Sequence, residues 1–433
     1  MEIVERILAG SKGISKPRRK FLLTLFTAIL MARGKINFRN LSRYSDLSEK
    51  TYSRHFAKSF DFVTINRQLI DEAFGRDSER IVALDPSFVK KSGKQTEGLD
   101  YFWNGCHSRP EKGLEISALA IVDIEENTGF TLSVRQTIPP QDAQQPSLTS
   151  KQKASKTGAG KKTSKRKTQK KSKKYKEDDE TLIDVYLQHV RDTRPFLLPC
   201  EMHVVVDGGF GKKKFVDGVC ELDLHVVGKL RCDADMRYLY TGPKRESGSG
   251  RQKTYDGKVN WQDLSRFESL GEEEGIALYT LFLNHVTLKR NVQVVVLLDK
   301  RKKDDIRYAI LFSTDKDLDA KTIVRYYKAR FQEEFIFRDA KQFTGLCDCQ
   351  ARDQARLDFH FNASLTTLNI AKLEQLQDHQ GSDQMVFSMA SVKACYFNEY
   401  FLQKFFSMFG LDQSWIKKSP EYQKLRDYGK MRA

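Results

Sequence analysis

Two short apolar runs, each closed by an aspartate, constrain the architecture of this chain most. Ile81-Val82-Ala83-Leu84 ends at Asp85-Pro86, and Met202-His203-Val204-Val205-Val206 ends at Asp207-Gly208-Gly209. An uninterrupted apolar, β-branched run bounded by turn residues reads as a strand buried on both faces, as in the interior of a sheet. Between the two runs, Leu114 to Ile124 and Phe130 to Ile138 are rich in β-branched residues and are joined by the turn Glu125-Glu126-Asn127-Thr128-Gly129. With the first run they predict an antiparallel meander. Glu177 to Arg194 follows as an amphipathic helix with acidic residues in its first turn, where the helix dipole favours them. A short helix and the strand Leu224 to Leu230 complete an order β-β-β-α-β-α-β. That order specifies an α/β fold, and several α/β arrangements share it.

The flanking segments differ in kind. Residues 1 to about 75 read as helical. Phe38 to Tyr44 and Glu49 to Lys58 form two short helices across a tight polar turn, the second capped by Ser48. The second helix carries Lys50, Thr51, Ser53 and Arg54, so the pair predicts a helix-turn-helix with these four side chains toward DNA; a helical bundle with a basic exposed side would look the same. Residues 231 to about 313 read as strand and turn. From Asp353 onward the chain is again helical.

The formal charge of +17 points to a polyanionic partner. Thirteen of those charges lie between Lys151 and Lys176, where there is no acidic residue, leaving about +4 for the rest of the chain. Residues 140–176 are Gln-, Ser-, Thr- and Lys-rich with almost no apolar content, and predict a disordered loop that tethers DNA nonspecifically. No apolar run approaches the ~20 residues of a membrane span, so a membrane role is not expected. The seven cysteines lack paired metal spacing and predict thiols in a reducing compartment.

The segment Tyr327 to Lys341 carries the chemistry. On an unbroken helix advancing ~100° per residue, Tyr327, Arg330, Glu334 and Lys341 fall at roughly 0°, 300°, 340° and 320°. They share one face, with Arg338 at about 20° and Glu333 at roughly 240°, pointing elsewhere. A carboxylate among a phenol, a guanidinium and an ammonium suits a metal ion beside phosphate oxygens, although mixed charge on a helix is more usually a solvated ion-pair face. Asp85 and Asp207, each closing an apolar run, would bring further carboxylates from distant parts of the chain. Asp123, Asp217 and Asp223 are rival acids.

The spacing Tyr-x2-Arg-x3-Glu-x6-Lys resembles the signature of bacterial insertion-sequence transposases of the DDE type, the transposon-five-like group. The resemblance covers roughly residues 80 to 345 and implies a ribonuclease-H-like catalytic core, a mixed five-stranded sheet with helices, interrupted by a β-rich insertion. It implies Asp85, Asp207 and Glu334 as catalytic, metal-binding carboxylates for two Mg²⁺ ions, for which Mn²⁺ substitutes. Tyr327, Arg330 and Lys341 would hold DNA phosphates, with Arg338 assisting. Cut-and-paste transposition is the implied activity: a homodimer binds double-stranded terminal inverted repeats, cleaves the ends and joins 3′-hydroxyls to target DNA, in a bacterial, nucleoid-associated, cytoplasmic setting. A metal-dependent nuclease without strand transfer and a noncatalytic DNA-binding derivative are the alternatives. Gly208 stands where some members carry an Arg, so that contact is not transferred. In related enzymes a base leaves the stack near the insertion; Trp261 is a candidate to receive it, or else part of the insert core.

The expected organisation is therefore a helical DNA-binding domain at 1–76, the first part of the core at 77–230, a β-strand-rich insertion at 231–315, the final core helix with its Glu at 316–350, and a helical C-terminal region at 351–433.

Overall fold

The computed structural model describes residues 1–75, 78–140, 180–243, 251–301, 307–378 and 387–431. The expected lysine-rich loop at 140–176 lies, but for its first residue, outside the described residues. Five helices open the chain: α1 (Glu2–Gly10), α2 (Lys16–Met31), α3 (Phe38–Leu41), α4 (Glu49–Phe56) and α5 (Phe62–Ala73). Strands β1 (Arg80–Lys90), β2 (Asp100–Asn104), β3 (Arg109–Asp123) and β4 (Thr128–Thr137) follow. Then come α6 (Leu182–Thr193), β5 (His203–Val206), α7 (Lys213–Cys220) and β6 (His225–Leu230). The β-rich stretch holds β7 (Met236–Leu239), β8 (Tyr255–Lys258), β9 (Glu268–Glu273), β10 (Ile276–His285), β11 (Arg290–Asp299) and β12 (Arg307–Ser313). The chain continues through α8 (Ala320–Ala329), α9 (Gln332–Asp339), α10 (Gln354–Asp378) and α11 (Met389–Phe409).

All the strands join one mixed sheet in the order β2-β3-β1-β5-β6-β12-β11-β10-β7-β8, with β4 beside β3 and β9 beside β10. β1 is antiparallel to β3 and parallel to β5, and β5 is parallel to β6. Where the strands run parallel their central residues, Ile81 to Leu84, Val204 to Val206 and Val226 to Val227, are apolar because both faces are covered. Their residues alternate between two cores: Val82, Leu84, Val204 and Val206 pack on one face with α2, α5, α6 and α7. Ile81, Ala83, Val205 and Val227 pack on the other with Ile323 and Val324 of α8.

Two expected boundaries are corrected. β1 does not end at Asp85 but runs on to Lys90; what ends at Leu84 is its pairing with β5. Pro86 is tolerated because it sits where the parallel neighbour has run out, the edge-like setting in which strands accept proline. The continuous helix expected through Tyr327 to Lys341 is broken into α8 and α9, and Ala340–Thr344 winds as a π-helix. At the break, Phe331 N donates to Lys328 O, Glu333 N to Arg330 O and Glu334 N to Phe331 O, tighter i→i−3 bonds that rotate α9 out of phase with α8.

The N-terminal helices share the core of the sheet. Asn66 of α5 donates to Leu132 O and accepts from Asn369 of α10. Glu201, fully buried, accepts from Arg67 of α5 at 2.9 Å through both oxygens and from Arg80 of β1 at 3.4 Å. Removing one partner of a buried ion pair strands the others, so Glu201→Ala is expected to destabilise the protein by about 3–5 kcal/mol, read by denaturant unfolding. A midpoint unchanged from wild type would contradict this.

Candidate active site

The site forms where β1 loses its parallel neighbour. Beyond Leu84 the backbone of β1 faces α9 instead of a strand, and the Asp85 amide donates to Glu333 Oε1 at 3.0 Å. Glu333 thus takes the place of the carbonyl that a longer β5 would have offered. It is 0% exposed, and burial, with the nearby Asp85 carboxylate, pushes its carboxyl well above the ordinary range. Its other oxygen has no hydrogen-bond partner among the described residues. The expectation that Glu333 points away from the site is therefore wrong, and the break before α9 is the reason.

Arg330, at the end of α8, lies between two carboxylates: NH1 is 3.6 Å from Asp85 Oδ2, and NH2 is 3.5 Å from Glu334 Oε1. Burial opposes its charge, but Asp85, Glu333, Tyr327 and Asp207 together hold the guanidinium above its usual range. Tyr327 Oη donates to Asp207 Oδ1 at 3.5 Å, and burial raises the phenol. Asp207 is exposed at the end of β5, and its Oδ1 also accepts from Gly208 N. Beside it Gly209 has nothing within 4 Å of where a Cβ would stand, leaving open space next to the carboxylate. Lys341 donates to Ser87 Oγ at 2.8 Å, two residues along β1 from Asp85. Asp85 itself is raised to about 7, first by burial and then by Asp207, Glu334 and Glu115, against the opposing pull of Arg330.

The structure thus brings together Asp85, Asp207, Glu334, Tyr327, Arg330 and Lys341. It does not bring Arg338, whose guanidinium pairs with Asp339 and lies over Phe335. The rival acids sit elsewhere in ordinary roles. Asp123 Oδ1 accepts from the amides of Glu125 and Glu126 in a turn, Asp217 pairs with Lys213 and Arg290, and Asp223 holds a left-handed turn position. Sequence reasoning missed Glu115, a lone acid within the apolar run of β3; it is buried and accepts from Tyr186 Oη at 2.5 Å.

In the N-terminal helices, Ser48 caps α4 as expected. Lys50 and Arg54 are exposed, and Thr51 Oγ1 is 3.0 Å from Ser48 Oγ. Ser53 is not free: its carbonyl and hydroxyl both accept from Arg356 Nε of α10, which fastens α4 to the body of the protein. Trp261 is half-buried, and its Nε1 donates to Ala234 O at 3.2 Å.

No set of three or more His, Cys, Asp or Glu among the described residues is arranged to hold a metal ion. The three carboxylates expected to converge on a pair of ions are linked instead through Arg330 and Tyr327, because a guanidinium and a phenol stand between them. The donor chemistry nevertheless suits a hard divalent cation. Four carboxyl groups lie around one guanidinium, one buried oxygen is unpartnered, and Asp85 is raised to about 7 by burial and by the neighbouring carboxylates in spite of Arg330.

A family model described as DDE superfamily endonuclease matches residues 11–274, more than half of the chain, including Asp85 and Asp207 and ending before Tyr327. A comparison with curated proteins found no match. Among solved structures, a chain of the piggyBac transposase synaptic complex with hairpin DNA, determined by cryo-EM, is similar at a TM-score of 0.41 and 12% identity, covering 98% of this chain and 75% of that one. That likeness is too slight to bear on the chemistry. On the family match, the chain belongs to the DDE superfamily endonucleases.

Proposed function

We propose that this protein is a metal-dependent DNA transposase of the cut-and-paste kind, with Asp85, Asp207 and Glu334 as its catalytic carboxylates. The observation that carries the reading is the meeting of Asp85 and Glu334 on Arg330, with Tyr327 on Asp207, in a chain of this endonuclease family. The strand order β4-β3-β1-β5-β6, antiparallel then parallel, supports a ribonuclease-H-like core around it. Divalent ions held by the three carboxylates would activate a water or 3′-hydroxyl and stabilise the leaving oxygen of an in-line displacement.

The chain's own side chains account for the rest. Arg330 is the cation nearest the acids, and transferring it to a DNA phosphate would free Asp85 and Glu334 for ligation. Tyr327 and Lys341 lie on either side to contact neighbouring phosphates, Lys341 from its seat on Ser87. Arg338 reaches phosphate only by leaving Asp339. Glu333 fixes the Asp85 backbone. Lys50 and Arg54, exposed on α4, would meet DNA there, and terminal-repeat binding by a dimer belongs to the same proposal.

The test supplies purified protein with labelled DNA from the flanks of its gene and Mg²⁺ or Mn²⁺. Joined products mark transposition, cut ends alone a nuclease, and a shifted but uncut band a noncatalytic binder. Glu334→Ala is expected to remove cleavage while leaving the shifted band; cutting at the wild-type rate would remove Glu334 from the site.

A further inference from the structure

Past the site, β1 leads to a second feature that the catalytic reading leaves unused. Beyond Val89 the chain opens onto a cavity of about 500 Å³, lined by Lys35, Lys90, Lys91, Lys94 and Arg352 with Asp348 the single acid. The cations come from three separate stretches: the loop before α3, the end of β1 with its loop, and the segment leading into α10. Lys35, Lys90 and Lys94 are exposed and make no ion pair among the described residues. Lys91 and Arg352 serve partly as scaffold. Lys91 donates to the carbonyls of Cys349 and Ala351, and Arg352 donates to Gln95 Oε1 at 3.2 Å. Asp348 is occupied by the amide of Ile36 at 2.8 Å, so it binds the wall of the cavity and not the lysines. Cations that converge without counter-charges repel one another and are held together only by the fold; a polyanion relieves that repulsion.

The position of the cavity identifies the polyanion. The same strand carries Asp85, Ser87 with its bound Lys341, and Lys90. Five residues at ~3.4 Å each put the backbone of Lys90 roughly 17 Å from that of Asp85, with Lys90 leaving the opposite face at the strand's end. Duplex DNA rises ~3.4 Å per base pair, so this is about five steps along a helix axis. A smaller cavity of about 360 Å³ adjoins it, sharing Cys349, Gln350 and Arg352, and reaches Asn37 at the cap of α3 and Ser53 within α4. The two cavities therefore carry the basic lining from Lys90, at the far end of the strand that bears Asp85, to α4.

We propose that this cavity holds the DNA backbone about five base pairs from the scissile phosphate; this rests on the nuclease reading of the site. Lys35, Lys90 and Lys94 neutralise phosphates there, while Lys91 and Arg352 keep the walls in place. The contact is to backbone and carries no base preference.

The test measures binding of a fluorescein-labelled 30-base-pair duplex by anisotropy at a series of KCl concentrations. Each lost phosphate contact lowers the slope of log affinity against log salt by about one. The triple variant Lys35→Ala, Lys90→Ala and Lys94→Ala is expected to lower it by about three. A control triple, Lys12→Ala, Lys289→Ala and Lys424→Ala, removes the same charge from other exposed positions and is expected to leave the slope at the wild-type value. Equal slopes for all three proteins, or equal losses in both triples, would overturn the proposal. Matching circular dichroism melts show that the variants remain folded. Nicking of supercoiled plasmid with Mn²⁺ by the wild type separates the two readings. Failure to nick counts against the nuclease, whereas an unchanged slope in a nicking enzyme counts against the cavity alone.

Discussion

Asp85→Asn is expected to lower metal-dependent DNA cleavage on the order of 10⁴-fold, the scale at which single members of a catalytic unit act. The same variant should raise the melting temperature of the metal-free protein at pH 8. Both effects follow from where Asp85 lies. Burial first, then Asp207 and Glu334, bring its carboxyl to about 7 despite Arg330. The native state therefore keeps a proton that the unfolded chain releases near pH 4. Stability contributed by this group is fully present below the unfolded value and is lost as pH rises to about 7, amounting to roughly 4 kcal/mol at most. Asparagine cannot ionise, so it escapes that loss. Metal binding by the wild type runs the opposite way, because only the carboxylate can ligate a metal: with metal below saturation, cleavage should weaken as pH drops through about 7. An Asp85→Asn protein that cuts normally, or a wild type whose metal requirement is the same from pH 6 to 8, would remove Asp85 from the centre.

Arg330→Ala should have the next largest effect, and its sign should depend on divalent cation. Arg330 is the cation ion-paired with both Asp85 and Glu334, and its side chain is 10% exposed. Without it, Asp85, Asp207, Glu333 and Glu334 face one another uncompensated. Breaking a buried ion pair from one side costs about 3–5 kcal/mol, so the metal-free variant should unfold at distinctly lower denaturant than wild type. Mg²⁺ or Mn²⁺ should recover more stability in the variant than in the wild type, since ligand binding to the native state stabilises by mass action. Equal metal responses in the two proteins would show that the guanidinium and the ion do not compete for the same carboxylates.

Much of this site was legible because strands buried on both faces leave a strong mark. The runs closing at Asp85 and Asp207 located both aspartates, and the structure separates them from Asp123, Asp217 and Asp223, which serve turns and ion pairs. The meander appears close to its expected bounds, and α6 ends where expected but starts at Leu182, later than Glu177, which lies outside the described residues. The extension of β1 to Lys90 was hidden by Pro86, a residue that argues against a central strand and is accommodated only because β5 is four residues long. β2 escaped notice because Asp100–Asn104 is short and half polar. Glu333 was misplaced for a different reason. The wheel assumes one unbroken rotation, whereas the backbone tightens at Arg330 and Phe331, and nothing in the local composition announces it. The pairing of Ser53 with Arg356, some 300 residues away, is tertiary and has no local signature.

The ladder between β6 and β12 has a mechanical consequence. Leu230 faces Ile310 and Val227 faces Ser313, so the strands between Met236 and Ser313 prolong the same sheet whose strand β5 leads to Asp207. It cannot swing as a separate flap. Torque applied at its outer rim, near β8, passes through the ladder toward β5 as a lever arm would pass it, and cutting the stretch away would lay bare a long, sticky flank on β6.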